Sequence, residues 1–151
     1  ACLQGTNLSR INLRQSDLSG AELSGSDMSG ACLQEANMTN ACLNDVNLVG
    51  ANLVDINLIG AELIGADLSG ADLSRGDLRC ANLTGANLSG ANLIDADLSG
   101  ANLTDANLTD ANLSGTDTTG TDLSGTIMTQ KIGIEVKAYG MSHRWISWAG
   151  C

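Results

Sequence analysis

A leucine or methionine stands at every fifth position from Leu3 to Met128, in 25 of 26 places, with Thr118 the one exception. That beat is incompatible with either simple period of secondary structure. On an α-helix a step of five residues advances about 500°, so successive leucines wander by about 140° and form no face. In a continuous strand an odd step sends alternate leucines to opposite sides. A chain that bends once per five-residue unit removes the conflict, because every leucine can then point at a common axis.

With leucine in the third of five slots, the first is mostly alanine, as at Ala21, Ala51, Ala81 and Ala101. The second is mostly Asn or Asp, the fourth usually Ser or Thr, and the fifth is Gly in 14 of 26 units. Four units make a coil of 20 residues with leucines inward and small alanines beside them. Stacked coils then lie about 4.8 Å apart, and residues 20 apart are vertical neighbours. Leu3, Leu23, Leu43, Leu63, Leu83 and Leu103 form one inward column, and Leu53, Leu73 and Leu93 belong to another. Twenty-six units give about 6.5 coils and a rod about 30 Å long. There is no Phe and no Pro, with one Tyr and two Trp, which excludes a core of mixed aromatic and aliphatic residues. A buried leucine contributes ~1.5–3 kcal/mol, whereas each ordered residue costs ~1–2 kcal/mol in backbone entropy. One leucine per five residues does not offset that, so packing and hydrogen bonds between coils must do so.

Units such as ANLTG, ANLSG, ADLSG and ANLTD resemble the pentapeptide-repeat family, whose pattern is A(D/N)LXX, and the resemblance covers residues 1–130. It implies an all-β fold, a right-handed quadrilateral parallel β-helix, with the first and third slots inward and the other three outward. The chain departs from the family pattern in having no Phe in the third slot, which makes the core more uniform. The repeat style is similar to that of cyanobacterial and plastid members, which implies a cytoplasmic or plastid and thylakoid-associated setting. The first unit is already in register at Ala1. The start is expected to be a processed or truncated edge whose open coil permits end-to-end association, or the chain to be a fragment of a larger assembly.

Residues 131–151 differ in composition and form a capping or docking tail. Ile132, Ile134 and Val136 alternate with polar or small residues, which predicts a short strand. Trp145 and Trp148 stand three apart beside Ile146 and Ala149, which predicts one helical turn. As a cap, the tail covers the exposed core and open strand edge of a stacked-repeat protein. As a docking peptide, it anchors through the two tryptophans.

Charge is uneven along the chain. Residues 1–130 hold 16 Asp and Glu against four Arg, a net charge of −12, while the tail is slightly basic. Such a surface disfavours direct contact with phosphate backbones, and it either keeps a protein soluble or meets basic partners. No apolar run approaches the ~18 residues of a membrane span, and no signal peptide is visible. Acidic rods of the resembled family include proteins that mimic duplex DNA and engage DNA gyrase. Here the charge is one per ~2.6 Å, against ~1.7 Å in B-DNA, so modulation of a type II topoisomerase stands as an alternative. Those relatives also pair end to end through a C-terminal module, and the tail here is short and different in character.

Catalytic chemistry finds little to build on. His143 is the one histidine and has no carboxylate or cysteine at a motif spacing. No GxxxxGK[ST] loop is present, and the carboxylates follow the repeat rather than a catalytic pairing. No cofactor is implied. Cys2 and Cys42 share a column but lie two coils apart, ~9–10 Å, too far for a disulfide. Cys32 falls on the opposite side and Cys80 at a corner between Gly60 and Gly100, so none of the four pairs, which suits a reducing compartment. Zinc is disfavoured without CxxC spacing. Glu35, Asp55, Arg75 and Asp95 stack at one corner as a surface charge ladder.

The stretch LVGANLVDINLIGAELIGADLSG departs from the pattern. Val49, Val54, Ile59 and Ile64 fill the fourth slot of four successive units, where Ser or Thr is usual, and Ile94 does so two coils beyond Val54. They form an apolar girdle around the rod. Branched residues favour strands in general, yet four in a row predict a contact surface for a protein partner.

Overall fold

The five-residue sequence beat becomes a closed account of backbone hydrogen bonds. In the unit from Val46 to Gly50, Val46 donates to the Leu43 carbonyl at 3.2 Å and closes a turn. Asn47 donates back one coil to Ser26 at 3.0 Å. Leu48 and Gly50 donate forward one coil to Asp67 and Ser69, at 2.7 and 3.0 Å. The remaining N–H, that of Val49, goes to the Asn47 side-chain Oδ1 at 3.1 Å. All five donors are thereby paired, as buried or half-buried backbone requires. The second slot is Asn or Asp because its side chain accepts the one N–H that no backbone carbonyl reaches. Where the fourth residue is Thr, its hydroxyl joins the same oxygen, as from Thr104 to Asn102 at 2.7 Å.

The fifth slot holds the bend. Its φ is positive in every unit from Gly5 to Gly125, and the non-glycine members include Asn40, Asp45 and Asp55 together with Arg75 and Cys80. Gly, Asn and Asp adopt this left-handed conformation at low cost, which accounts for the slot's composition.

The structure is a computed structural model that describes residues 2–129 and the backbone of 147–148. Parallel bridges join second-slot residues at a constant separation of 20, from Cys2↔Glu22 to Asn102↔Asp122. Near the C-terminal end the bridges lengthen into strands β1 (Asn107–Leu108), β2 (Ile127–Met128) and β3 (Ser147–Trp148). All are parallel and in the same register, with Leu108 beside Met128 and Met128 beside Trp148. Among the described residues there is no helix. The helical turn expected around Trp148 is therefore corrected: Ser147–Trp148 is a strand, because the unpaired edge of β2 offers backbone partners that an isolated turn lacks. The strand expected at Ile132–Val136, and Trp145, lie outside the described residues.

First- and third-slot residues build the core. Leu23, Leu43, Leu53, Leu63, Leu73, Leu83, Leu93 and Leu103 are fully buried, with Ala21, Ala51, Ala81 and Ala101 packed beside them. Leu3 and its neighbours Leu8, Ile11, Leu13 and Leu18 are only partly buried against that core. In the first slot Ile56 is as buried as the alanines, and one coil later the slot holds Gly76. A Cβ added at Gly76 would meet Ile56 Cγ2 at 3.3 Å, so the large residue and the missing side chain compensate for one another.

Toward the C-terminal end alanine gives way to threonine in the first slot. Thr116, Thr121 and Thr126 donate to the carbonyls of Leu93, Leu98 and Leu103 in the preceding coil, at 2.7, 2.8 and 2.9 Å. These bonds tie the last full coil down from its interior. Ser26, in the same slot, is 1% exposed and its hydroxyl has no partner.

Candidate interaction surface

The second, fourth and fifth slots face outward, and each makes a vertical row with a 20-residue step. In the second-slot rows an amide donates to the carboxylate or amide one coil before it. Asn47 reaches Asp27 at 3.1 Å, Asn87 reaches Asp67 at 3.2 Å, and Asn107 reaches Asn87 at 3.2 Å. The same oxygens cap the bends, so most second-slot carboxylates are structural acceptors. Hydrogen bonds from Ser19, Ser29 and Ser124 hold Asp17, Asp27 and Asp122 below the usual carboxylate range.

Among the described residues, ion pairs are confined to part of the surface. Arg75 clamps Asp55 with two bonds of 2.8 Å, and Asp95 adds attraction from the next coil, as the charge column predicts. Arg79 holds Asp77 at 2.7 and 2.8 Å and lies 3.8 Å from Asp97. Arg14 lies 3.5 Å from Glu35, which also accepts from Gln15 at 2.8 Å. The hydrogen bonds from Arg75 and Arg79 hold Asp55 and Asp77 below their ordinary values.

The girdle is present but uneven. Val49 and Ile64 are 39% and 42% exposed, whereas Val54, Ile59 and Ile94 are half-buried. Ile127, 46% exposed, is a further apolar candidate that the fourth-slot pattern does not reveal. The signal for it is an isoleucine in a second slot, where Asn or Asp is usual.

Cys2, Cys32, Cys42 and Cys80 are unpaired thiols, as the column spacing requires. Cys80 Sγ lies 3.5 Å from the place a Cβ at Gly100 would take, which puts it at the expected corner. Among the described residues no three or more His, Cys, Asp or Glu are arranged to hold a metal ion. No helix among them is long and apolar enough to cross a membrane. His143, Cys151 and the side chain of Trp148 lie outside the described residues.

The family model of pentapeptide repeats matches residues 1–40, 41–79, 81–117 and 91–130, in eight copies. The chain belongs to the pentapeptide repeat family. A pentapeptide repeat protein from the cyanobacterium Cyanothece 51142 is 31% identical, covering 84% of this chain and 90% of that one, with a TM-score of 0.54. One from Nostoc PCC 7120 is 35% identical over 63% of this chain and 76% of that one, with a TM-score of 0.49. A third, from the Arabidopsis thaliana thylakoid lumen, is 30% identical over 78% of this chain and 68% of that one, with a TM-score of 0.38. No curated protein matches. The pentapeptide repeat fold is a right-handed β-helix, and the constant 20-residue register is its signature in this chain.

Proposed function

We propose that residues 1–130 form a rigid rod of square cross-section, about 6.5 coils long, that serves non-enzymatically as a protein-contact module. Four bends per 20-residue register support the square, each side being one unit. Residues 131–151 close the C-terminal end. The pairing of β3 on β2 supports a cap over a docking peptide, since it sets the backbone of Ser147–Trp148 along the open edge of β2.

The contact reading is carried by one observation. Val49 and Ile64 are exposed in a slot that is otherwise mostly serine or threonine, and nothing in the backbone account requires an apolar side chain there. Covering two such side chains contributes on the order of 1 kcal/mol each. A non-enzymatic role is supported by the carboxylates, which are already engaged as bend caps and ladder acceptors. Replacing Val49 and Ile64 with serine should leave the circular dichroism and melting temperature unchanged while removing a partner that co-purifies from the native source. An unchanged set of partners would refute the reading.

A second reading, a DNA-mimicking modulator of a type II topoisomerase, is favoured by the net charge of −12 over residues 1–130. It works by charge alone and is indifferent to Val49 and Ile64. A gyrase supercoiling assay with the wild-type chain and the serine variant separates the two.

A further inference from the structure

The arginines are distributed unevenly around the rod, although the net charge is not. Number the sides by their first-coil units, 1–5, 6–10, 11–15 and 16–20, and stack residues by their 20-residue register. The arginines of residues 1–130 all fall on the third and fourth sides or on the edges bounding them: Arg10, Arg14, Arg75 and Arg79. The ion pairs among the described residues are there too, on Glu35, Asp55, Asp77 and Asp97. The first and second sides, with the edge between them, carry Glu22, Asp27, Asp45, Glu62, Asp67, Asp105 and Asp122 and no arginine.

The two exposed girdle members lie on this uncompensated half. Ile64 is on the first side in the fourth coil and Val49 is on the second side in the third coil. Glu22 and Asp27 stand below them, Asp45 on the edge beside them, Glu62 and Asp67 at the level of Ile64, and Asp105 above. The carboxylates from Glu22 to Asp105 span about four coil steps, roughly 19 Å along the axis. An apolar centre with a charged rim is the anatomy of a protein-binding patch. The half-buried Val54 and Ile59 instead have neutralised carboxylates, Asp55 and Asp77, close by.

We infer that the first and second sides are the docking surface for a lysine- or arginine-rich protein segment that carries aliphatic or aromatic anchors. The segment crosses the edge between the two sides with one anchor over Val49 and another over Ile64, and the flanking cations meet carboxylates that have no cation of their own among the described residues. This rests on the contact reading above and adds the side and the partner's chemistry. Complementary charge steers the approach and fixes which side is used, while the apolar pair separates this partner from a purely cationic one.

The test uses the whole chain labelled with nitrogen-15 and two synthetic probes, a peptide alternating lysine with leucine and an oligolysine of equal charge. The alternating peptide should shift the amide signals of Asn47–Gly50 and Glu62–Ser69 and bind more tightly than oligolysine. Serine at Val49 and Ile64 together should weaken it about thirtyfold, as expected for losing two partly exposed anchors. The pair Glu62→Gln with Asp67→Asn should weaken it, whereas Asp97→Asn, on the fourth side, should not. Shifts spread equally over the four sides, or equal binding of oligolysine, would overturn the inference. The contact reading fails separately, if the serine variant keeps its native partners. Loss of those partners with indifferent peptide binding would refute only the basic segment.

Discussion

The packing of Ile56 against Gly76 gives a sharp energetic expectation. Gly76 has an ordinary negative φ, so Gly76→Ala carries no left-handed strain, and alanine is the usual residue of its slot. The obstacle is space. The new Cβ would sit 3.3 Å from both Ile56 Cγ2 and Leu78 Cδ1, and 3.0 Å from the Leu73 carbonyl oxygen. Overfilling a close-packed core costs ~1–3 kcal/mol. Lower entropy of the unfolded chain returns ~0.4–1 kcal/mol. The single substitution should therefore destabilise by about 1 kcal/mol. Ile56→Ala alone leaves a void beneath Gly76 and should cost ~2–5 kcal/mol. Combined, they restore alanine over alanine, and Gly76→Ala changes sign to become stabilising. The coupling energy should be about 2 kcal/mol, against about 0.5 kcal/mol or less for independent sites. Urea unfolding followed by circular dichroism measures the cycle, provided the m-values agree. Because a stacked-coil protein can open part by part, amide exchange at Leu58 and Leu78 gives the local value. Additive effects would show that the shaft relaxes around the extra methyl and that the two positions are not complementary.

Two other expectations concern stability. Ser26→Ala removes a buried hydroxyl without a partner and should raise stability by about 1 kcal/mol in urea melts. Destabilisation would mean that the hydroxyl is satisfied in solution. Asp17, Asp27, Asp55, Asp77 and Asp122 have folded-state pKa values below the unfolded value of 3.8. A lowered carboxylate pKa contributes stability that is present above the unfolded value and lost as pH falls through the folded one. The melting temperature should therefore hold from neutral pH to just above 3.8 and then decline. A steady rise on acidification would show that repulsion among the stacked carboxylates outweighs their hydrogen bonds.

The fold was largely legible because each row has one kind of environment. The third-slot leucines read as a shaft, and the 20-residue step follows from four bends, so the absence of disulfides among Cys2, Cys32, Cys42 and Cys80 follows as well. Three features needed the structure. Asn and Asp in the second slot cap the N–H of the fourth slot, which composition alone does not reveal. Thr116, Thr121 and Thr126 look like a fading repeat, yet they fasten the last full coil to the one before. The unequal exposure of the girdle, with Val49 and Ile64 open and Val54, Ile59 and Ile94 half-buried, does not show in the five-residue pattern. The expectation that failed, a helical turn at Trp148, used the three-residue spacing of the tryptophans and left out the vacant edge of β2.

The outward slots differ in what the backbone demands of them, and this limits where a partner-specific signal can reside. The second slot is held mostly to Asn or Asp by the bend cap, and the fifth favours residues that tolerate positive φ. The fourth slot is bound by neither requirement, since its N–H is satisfied by a second-slot side chain or, at Ile64, by Asn44 Oδ1 one coil before. It holds Arg14, Gln34, Asn44, Val54 and Arg79 within the same ladder as Ser and Thr. An apolar residue there gains little from the shaft and adds exposed surface that favours aggregation. Val49 and Ile64 remain exposed where the slot readily accepts serine, as at Ser29 and Ser69. Covering them with a partner therefore improves the complex without altering the rod, and their replacement by serine should separate binding from folding.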